Sequence, residues 1–558
     1  MSDAVQVEPQ RVLRGSGLDL GPVATRFPLE ERTILHVLAA QARERAQKPW
    51  LIFDARDTLT FGEAQRLTNQ IANAIRARVG TGKHVGIFLR NQYEFMPVEM
   101  GAMAVPGLAV PINADARGPL LLSVIDRSDV AIVVARVDLL ERLEDLQGLG
   151  KVELVVAVGE GEIPTRIHGV EVVRFQDWLD GVSDAVEAEL PRYDDLSVIA
   201  FTSGTTGRAK GVVHTHHYWQ LFSGIVTDSL PITEDDVLTT PLPLYHGGAL
   251  HIVANCALHA GATGHLQSKF SASRFWADAA RDGATYGFLL GPIAALVDKA
   301  TTEVPEHRME TMYCLPAPPE REQFEARFNV KILSQGWAMT EIFPLPMRKE
   351  QIPGMPDDTM GFPVTWFDYG VVDKDDNMLP PGEIGELVWR CSIPYGMFSG
   401  YYKEPEMTLE AFRNFWFHTG DAAFYDPDGC LHFVGRMKDR IRRRGELVNA
   451  AELDYVALQH PNVLEAASYG VPADLGEEDV KLDLVLSSPV PVEEMHAWLT
   501  KNLPRFMIPR YLEFMDEFPK TPSLRIEKYK LKQRPTDRPE VYDADKLRNA
   551  AAAAPAQS

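Results

Sequence analysis

Across most of its first 350 residues the chain alternates short apolar runs with helix-like stretches. HVGIFL (84–89) follows an Ala-rich helical pattern, and GLAVPI, VAIVVA and LVVAVG recur after further helical stretches. Strand-length apolar runs separated by helical crossovers are how helix-covered parallel sheets are built. The pattern predicts an α/β fold with largely parallel sheets, and no fixed-period repeat is visible. From about residue 360 the texture becomes turn-rich β, with GEIGELVWR and then DPDGCLHFVGR, where Asp428-Gly429 marks a tight hairpin. After about 440 a unit of roughly 100 residues begins. ELDYVALQHP and PVEEMHAWLTKNL read as its helices, and EAASYGVP, VKLDLVLSS and finally YLEFMDEF as its strands.

The chain has 558 residues, too many for one core, so more than one domain is expected. With 56 Lys and Arg against 78 Asp and Glu, the formal charge is −22. That balance argues against general nucleic-acid binding, which works by neutralising phosphates. A small anion held in a local basic site remains compatible with it. The N-terminus MSDAVQVEPQ lacks an apolar stretch, so no secretory signal is expected. The most apolar region, 95–112, is interrupted by Glu99 and prolines and predicts buried helix and strand rather than a membrane span. Cys256, Cys314, Cys391 and Cys430 are widely spaced, which predicts neither a disulfide framework nor a zinc site and suits a reducing cytoplasm.

Residues 201–216, FTSGTTGRAKGVVHTH, follow the apolar SVIAF. A strand running into a Ser/Thr/Gly loop can wrap N–H groups and hydroxyls around phosphate oxygens, with Lys210 adding a cation. The spacing from Gly204 to Lys210 is not that of a Walker A loop. The string resembles the S-G-T-T-G-x-P-K-G signature of the adenylate-forming superfamily of acyl-CoA synthetases, luciferases and adenylation domains, with Ala209 at the proline. Further elements follow in the family's order: PLPLYHGG (241–248), LPAPP (315–319), GWAMTE (336–341), GYYKEPEMTLEAF (400–412), FHTGD (417–421) and GRMKDRIRRRGELVNAAELD (435–454). Beyond these, FWFHTGD, HPNVLEAASYGVPADLGEEDVK and LPRFMIPRYLEFMDEFPKTPS resemble most the carnitine/crotonobetaine-CoA ligase-like branch.

The resemblance implies a fold and a set of roles. The fold is a large N-terminal domain of α/β subdomains with a β-rich subdomain (1–436), a small mobile α+β C-terminal domain (437–535, hinge at Lys438) and a flexible tail (536–558). Thr202, Ser203, Gly204, Thr205, Thr206 and Gly207 would cradle phosphate. Ala317 and Pro318 would lie along the adenine, and Trp337 would stack on it, an aromatic face suiting a purine. Thr340 would touch phosphate and Glu341 would hold Mg²⁺. Asp421 would take the ribose hydroxyls with Arg436 beside it. His246 would stand between nucleotide, acyl group and thiol channel, and Gly445 would let the pantetheine of CoA approach closely. Arg440, Arg442, Arg443 and Arg444 are candidates for the CoA phosphates, or else a solvated basic face. Tyr218, Trp219, His251, Asn255, Phe288 and Gly291 are expected to line the acyl pocket.

The last family motif, P-K-T-x-[S/T]-G-K, aligns with PKTPSLRIEKYK (519–530) so that Leu524 takes the glycine position and Arg525 that of the catalytic lysine. Arg is planar, larger and always protonated, so the exchange is not conservative. Three readings follow. The first is an ATP-dependent acid–CoA ligase that turns a small carboxylic acid into an acyl-adenylate and then an acyl-CoA, using ATP, Mg²⁺ and CoA, with a homodimer left open. The second is an adenylating enzyme with another acceptor, such as an amine or a carrier thiol, or an unusual oxyacid such as nitrite. The third is a catalytically impaired nucleotide- or acyl-binding homologue.

Overall fold

The computed structural model describes residues 12–54, 56–202, 210–230, 232–315, 317–318, 320–345, 359–437, 440–443, 446–473, 478–503, 507–520 and 526–545. The alternating pattern builds two large sheets. A nine-stranded sheet runs in the order Gly400–Tyr401, Lys210–Thr215, Leu196–Thr202, Ala109–Pro111, His84–Phe88, Val130–Arg136, Leu154–Val158, Val170–Arg174, Arg166–Ile167. Its pairs are parallel from Leu196–Thr202 to Val170–Arg174, and antiparallel for the two pairs at the Gly400–Tyr401 edge and the one at the Arg166–Ile167 edge. A seven-stranded sheet runs Lys331–Leu333, Thr311–Cys314, Tyr286–Leu289, Val237–Thr240, Thr263–Leu266, Pro49–Phe53, Asp57–Thr60, parallel except for the last pair. The buried helix His216–Ser229 packs within the same apolar core, and its start is set locally: Thr215 Oγ1 accepts the Tyr218 N–H at 3.2 Å.

The turn-rich region forms a six-stranded antiparallel sheet, which also takes in Leu13–Arg14. Asp428-Gly429 turns the hairpin between Phe417–Tyr425 and Leu431–Arg436, with Gly429 at φ +88°, a conformation that glycine adopts without strain. The 95–112 region is the buried helix Phe95–Met103 and strand Ala109–Pro111. Burial of Glu99 in that helix pushes its carboxyl up to about 8, so it is protonated at neutral pH. Among the described residues no helix is long and apolar enough to cross a membrane, and none of the four cysteines forms a disulfide.

The C-terminal sheet runs Val463–Pro472, Glu478–Leu486, Tyr511–Met515, Val541–Asp543. The last strand corrects the expectation of a flexible tail from 536 and of YLEFMDEF as the final strand. Residues 541–543 pair antiparallel with 511–513, and Asp543 sits 3.3 Å from the Arg510 guanidinium. Charge pairing holds a segment there whose composition alone suggests disorder.

Two strands of this sheet carry an ion cluster centred on the buried Lys481, Asp483 and Glu513. Lys481 Nζ contacts Asp483 at 2.5 Å, Glu513 at 2.8 Å and the Tyr469 hydroxyl at 2.8 Å, while Arg534 and Arg538 also reach Glu513. Burial pushes the Glu513 carboxyl up, but hydrogen bonds from Lys481, Arg538 and Arg534 outweigh it and bring it down to about 2. A carboxylate with a lowered folded-state pKa stabilises the fold above its ordinary value of 4.5 and loses that contribution as pH falls towards 2. The melting temperature is therefore expected to drop between pH 5 and pH 2, and Glu513→Gln, measured by calorimetry, should flatten that drop.

Candidate active site

In parallel sheets ligands gather beyond the carboxyl ends of the strands. Four neighbouring strands of the seven-stranded sheet deliver predicted residues there. His246 follows Val237–Thr240, Gly291 follows Tyr286–Leu289 (which itself contains Phe288), Ala317 and Pro318 follow Thr311–Cys314, and Trp337, Thr340 and Glu341 follow Lys331–Leu333. Gly336 makes the last turn at φ +139°, with the Tyr313 hydroxyl 2.7 Å from where a Cβ would stand. From the nine-stranded sheet, Thr202 and Lys210 lie opposite each other in antiparallel register at the two ends of the predicted phosphate loop. Ser203, Gly204, Thr205, Thr206 and Gly207 themselves lie outside the described residues, as do Lys438, Arg444, Gly445 and Arg525.

Two groups of side chains converge. In the first, the Tyr401 hydroxyl donates to Glu341 Oε1 at 2.9 Å, and Lys210 Nζ lies 4.7 Å over the Tyr401 ring. Glu341 is buried at 4% exposure, and Phe398 N–H donates to its backbone carbonyl at 2.9 Å. Burial, and the Glu341 carboxylate after it, raise the Tyr401 phenol well above its ordinary value, so it stays a hydrogen-bond donor. In the second group, Asp421 and Arg436 are cross-strand partners with Asp421 Oδ1 2.9 Å from Arg436 Nε, and the Trp337 indole N–H donates to Asp421 Oδ2 at 3.1 Å. Trp337 is itself stacked on Trp389, with ring centroids 5.9 Å apart. Glu386 shapes the turn before Asp421, accepting the Gly420 N–H at 2.9 Å and meeting His418 Nδ1 at 3.0 Å.

A third set lines the helix His216–Ser229. His214 Nε2 and the Tyr218 hydroxyl both bond the Thr340 carbonyl, at 2.8 and 3.2 Å. Burial depresses His214 to about 4, so it is neutral near pH 7. Trp219 meets the His251 ring edge-on at 4.4 Å, and Phe222 stacks between His251 and Phe343 at 4.3 and 3.9 Å. His251 and Asn255 belong to an eight-residue π-helix, Gly248–Asn255, that begins two residues after His246. π-Helical turns are rare and concentrate at functional sites. His246 itself is exposed at the start of that turn. Phe288 packs on Gly248, where a Cβ would come within 2.5 Å of its ring.

Sequence reasoning missed Tyr401, His214, Phe222, Phe343 and Glu386. Tyr401 was in view as the second residue of GYYKEPE, but nothing local marks it as Glu341's partner. Arg443 is a correction: it is turned inward, 3.2 Å from Asp479 and bonded to the Ile508 carbonyl at 2.5 Å, which removes it from the candidates for a solvent-facing phosphate site. In PKTPSLRIEKYK, Lys520 pairs with Glu465, Lys528 with Asp454 and Lys530 with Glu527. Those three cations are occupied structurally.

Tyr401→Phe keeps the ring under Lys210 and removes only the bond to Glu341. A hydrogen bond to a charged group is worth about 1.5–3 kcal/mol, so pyrophosphate release is expected to slow by about 10-fold or more and the melting temperature to fall, since the buried Glu341 loses a donor.

Comparison with known proteins shows the family. The AMP-binding enzyme family matches residues 38–402, and the AMP-binding enzyme C-terminal domain matches residues 452–525. The chain is 29% identical over 523 residues to a sulfoacetate–CoA ligase of Cupriavidus necator, covering 89% of this chain and 97% of the relative. It is 28% identical over 492 residues to a crotonobetaine/carnitine–CoA ligase of Salmonella arizonae, covering 85% and 93%. In fold it is similar to the anthranilate CoA ligase AuaEII in complex with anthranoyl-AMP, with a TM-score of 0.81 at 24% identity over 95% of this chain and 99% of that one. With a family match spanning well over half of its length, this chain belongs to the AMP-binding enzyme family of adenylate-forming proteins.

Proposed function

We infer that this chain is an AMP-forming acid–CoA ligase. It activates a small carboxylic acid with ATP to an acyl-adenylate, releasing pyrophosphate, and then passes the acyl group to CoA. The observation that carries this reading is the meeting of Lys210, Tyr401 and Glu341 beside Trp337, Asp421 and Arg436, six residues from five separate motifs.

The first half-reaction joins two anions, so its barrier is mainly electrostatic. Asp421 accepts the ribose hydroxyls, and Arg436 and the Trp337 N–H hold its carboxylate in place. Trp337, Ala317 and Pro318 border the purine. Lys210 and the loop from Thr202 to Gly207 receive the phosphates. Glu341 and the hydroxyls of Thr202 and Thr340 are hard oxygen donors of the kind Mg²⁺ takes, and bound Mg²⁺ would neutralise phosphate charge. Arg525 carries the cation to the reacting carboxylate. For the second half-reaction the small C-terminal domain, divided from the rest at 436/437, turns about Lys438 and brings Gly445 to the thiol channel beside His246. We place the enzyme in the cytoplasm and without nucleic-acid partners, readings supported by the absence of disulfides among the four cysteines and by the acidic charge and checked by fractionation, while light scattering decides whether it forms a homodimer.

Pyrophosphate release measured over a panel of carboxylic acids, with nitrite included, tests adenylation; no release from any of them would end the enzyme reading. Adding CoA and finding the thioester by mass separates a CoA ligase from an enzyme with another acceptor. Arg525→Ala is expected to slow adenylation about 100-fold while sparing thioester formation from supplied acyl-adenylate, and an unchanged adenylation rate would remove Arg525 from the chemistry.

A further inference from the structure

The reaction as derived leaves two buried polar groups unused on the π-helix Gly248–Asn255. Asn255 is 0% exposed, and neither its Oδ1 nor its Nδ2 has a hydrogen-bond partner. His251, one turn earlier, is 4% exposed with Nδ1 likewise unpartnered. Leaving a carboxamide buried and unpaired destabilises a fold, and most buried polar groups in proteins are satisfied. An orphan of this kind calls for an explanation, and a ligand group is one that the surroundings support.

Residues four apart share a helix face. Ile252 and Val253 point the other way, lining a small apolar cavity with Leu238 and Phe288. The 251/255 face is turned to the helix His216–Ser229, as the contacts of His251 with Trp219 and Phe222 establish. Contacts therefore run from the Thr340 carbonyl through Tyr218, Trp219 and Phe222 to His251, and Asn255 follows four residues on along the same π-helix. The reacting end is Thr340–Glu341, and the far end is polar.

None of these side chains carries a formal charge, because burial holds His214 and His251 neutral. Both faces of Phe222 are taken, by His251 and Phe343, so it offers no open ring face to an ammonium group. These side chains can exchange hydrogen bonds but cannot neutralise a sulfonate or a second carboxylate.

We propose that the acyl end of this site selects an uncharged acyl group bearing a hydroxyl, which accepts from Asn255 Nδ2 and donates to an acceptor on the same face, Asn255 Oδ1 or His251 Nδ1. This rests on the acid-activating reading above, and it makes Asn255 a specificity-determining residue.

The test uses the full chain and acyl-adenylate mimics in which a sulfamate replaces the phosphate. The acyl groups are 4-hydroxybutanoyl against pentanoyl, 3-hydroxybenzoyl against 3-methylbenzoyl, and sulfoacetyl, with dissociation constants from calorimetry. In at least one pair the hydroxyl member is expected to bind about 10- to 100-fold more tightly, the range that one unpaired buried polar group commands. Asn255→Leu should abolish or invert that preference without lowering the melting temperature, since an apolar side chain of similar volume replaces an unpaired amide. A purely structural asparagine would do the reverse, losing stability and leaving the preference intact. Equal binding within both pairs, as when a buried water alone satisfies Asn255, overturns the proposal, and so does tightest binding of the sulfoacetyl mimic. The wild-type pairs decide even if the variant does not fold. Failure of every mimic to bind would instead overturn the adenylating function itself.

Discussion

Glu341→Gln is expected to lower the rate of pyrophosphate release by about 10²- to 10³-fold, the cost of removing one well-placed electrostatic group from a preorganised site. Glutamine has the same shape and can still accept from the Tyr401 hydroxyl now 2.9 Å from Oε1, so the melting temperature should move little. What is lost is a full negative charge on a buried side chain whose surroundings, Tyr401 with Lys210 above its ring, are arranged around that charge. The loss should be larger than that of Tyr401→Phe, which keeps the carboxylate. Combining the two should cost less than the product of the single effects, because both act through one contact. Thioester formation from supplied acyl-adenylate should be spared relative to adenylation. A Glu341→Gln enzyme that releases pyrophosphate at the wild-type rate would place the Mg²⁺ ligand elsewhere.

Lys481→Met is expected to unfold the C-terminal sheet at temperatures the wild type survives. Removing one partner from a buried charge pair typically costs about 3–5 kcal/mol, because the opposite charge stays buried and uncompensated. Here Asp483 would keep the Tyr469 hydroxyl at 2.6 Å but lose its cation, while Glu513 would still have Arg534 and Arg538. The functional consequence follows from connectivity. Tyr469 also donates to the Leu531 carbonyl at 3.2 Å, and Arg534 and Arg538 tie the chain after residue 530 to Glu513. Loosening the cluster frees the stretch on either side of Arg525, so adenylation should fall with it. Binding of an ATP analogue near Asp421 should persist, because Trp337 and Arg436, which hold its carboxylate, lie outside the C-terminal sheet. Separate thermal transitions for the two parts, with only the later part shifted, would match this expectation. An unshifted melt in Lys481→Met would show that the cluster is energetically neutral.

The α/β class and the order of the motifs were legible because each is a local property. Periodicity sets element type, and a short motif sets the backbone conformation that presents its own side chains. Asp421 opposite Arg436 could be anticipated from FHTGD, the Asp428-Gly429 hairpin and GRMKD, since a tight turn sets the register of its two strands. Partnerships over long distances in sequence were not legible. Tyr401 reaches Glu341 only because Gly400–Tyr401 joins the edge of the nine-stranded sheet next to Lys210–Thr215, and nothing in either motif names that neighbour. The same holds for Arg443, which a run of arginines suggests is solvated and which Asp479 draws inward, and for residues 541–543, held as a strand by pairing in a segment composed like a tail.

The sequence by itself determined that this chain binds a nucleotide in the manner of its family, because the groups that do so are carried by contiguous motifs. Only the tertiary structure decided which of them touch and which polar atoms are left without a partner. The family resemblance assigns His251 and Asn255 to the acyl pocket, but nothing in the sequence marks their polar atoms as unpaired. Their unpaired polar atoms exist only once a π-helix turns them onto one buried face, and burial rather than residue type is what makes an unpaired amide costly enough to ask for a partner.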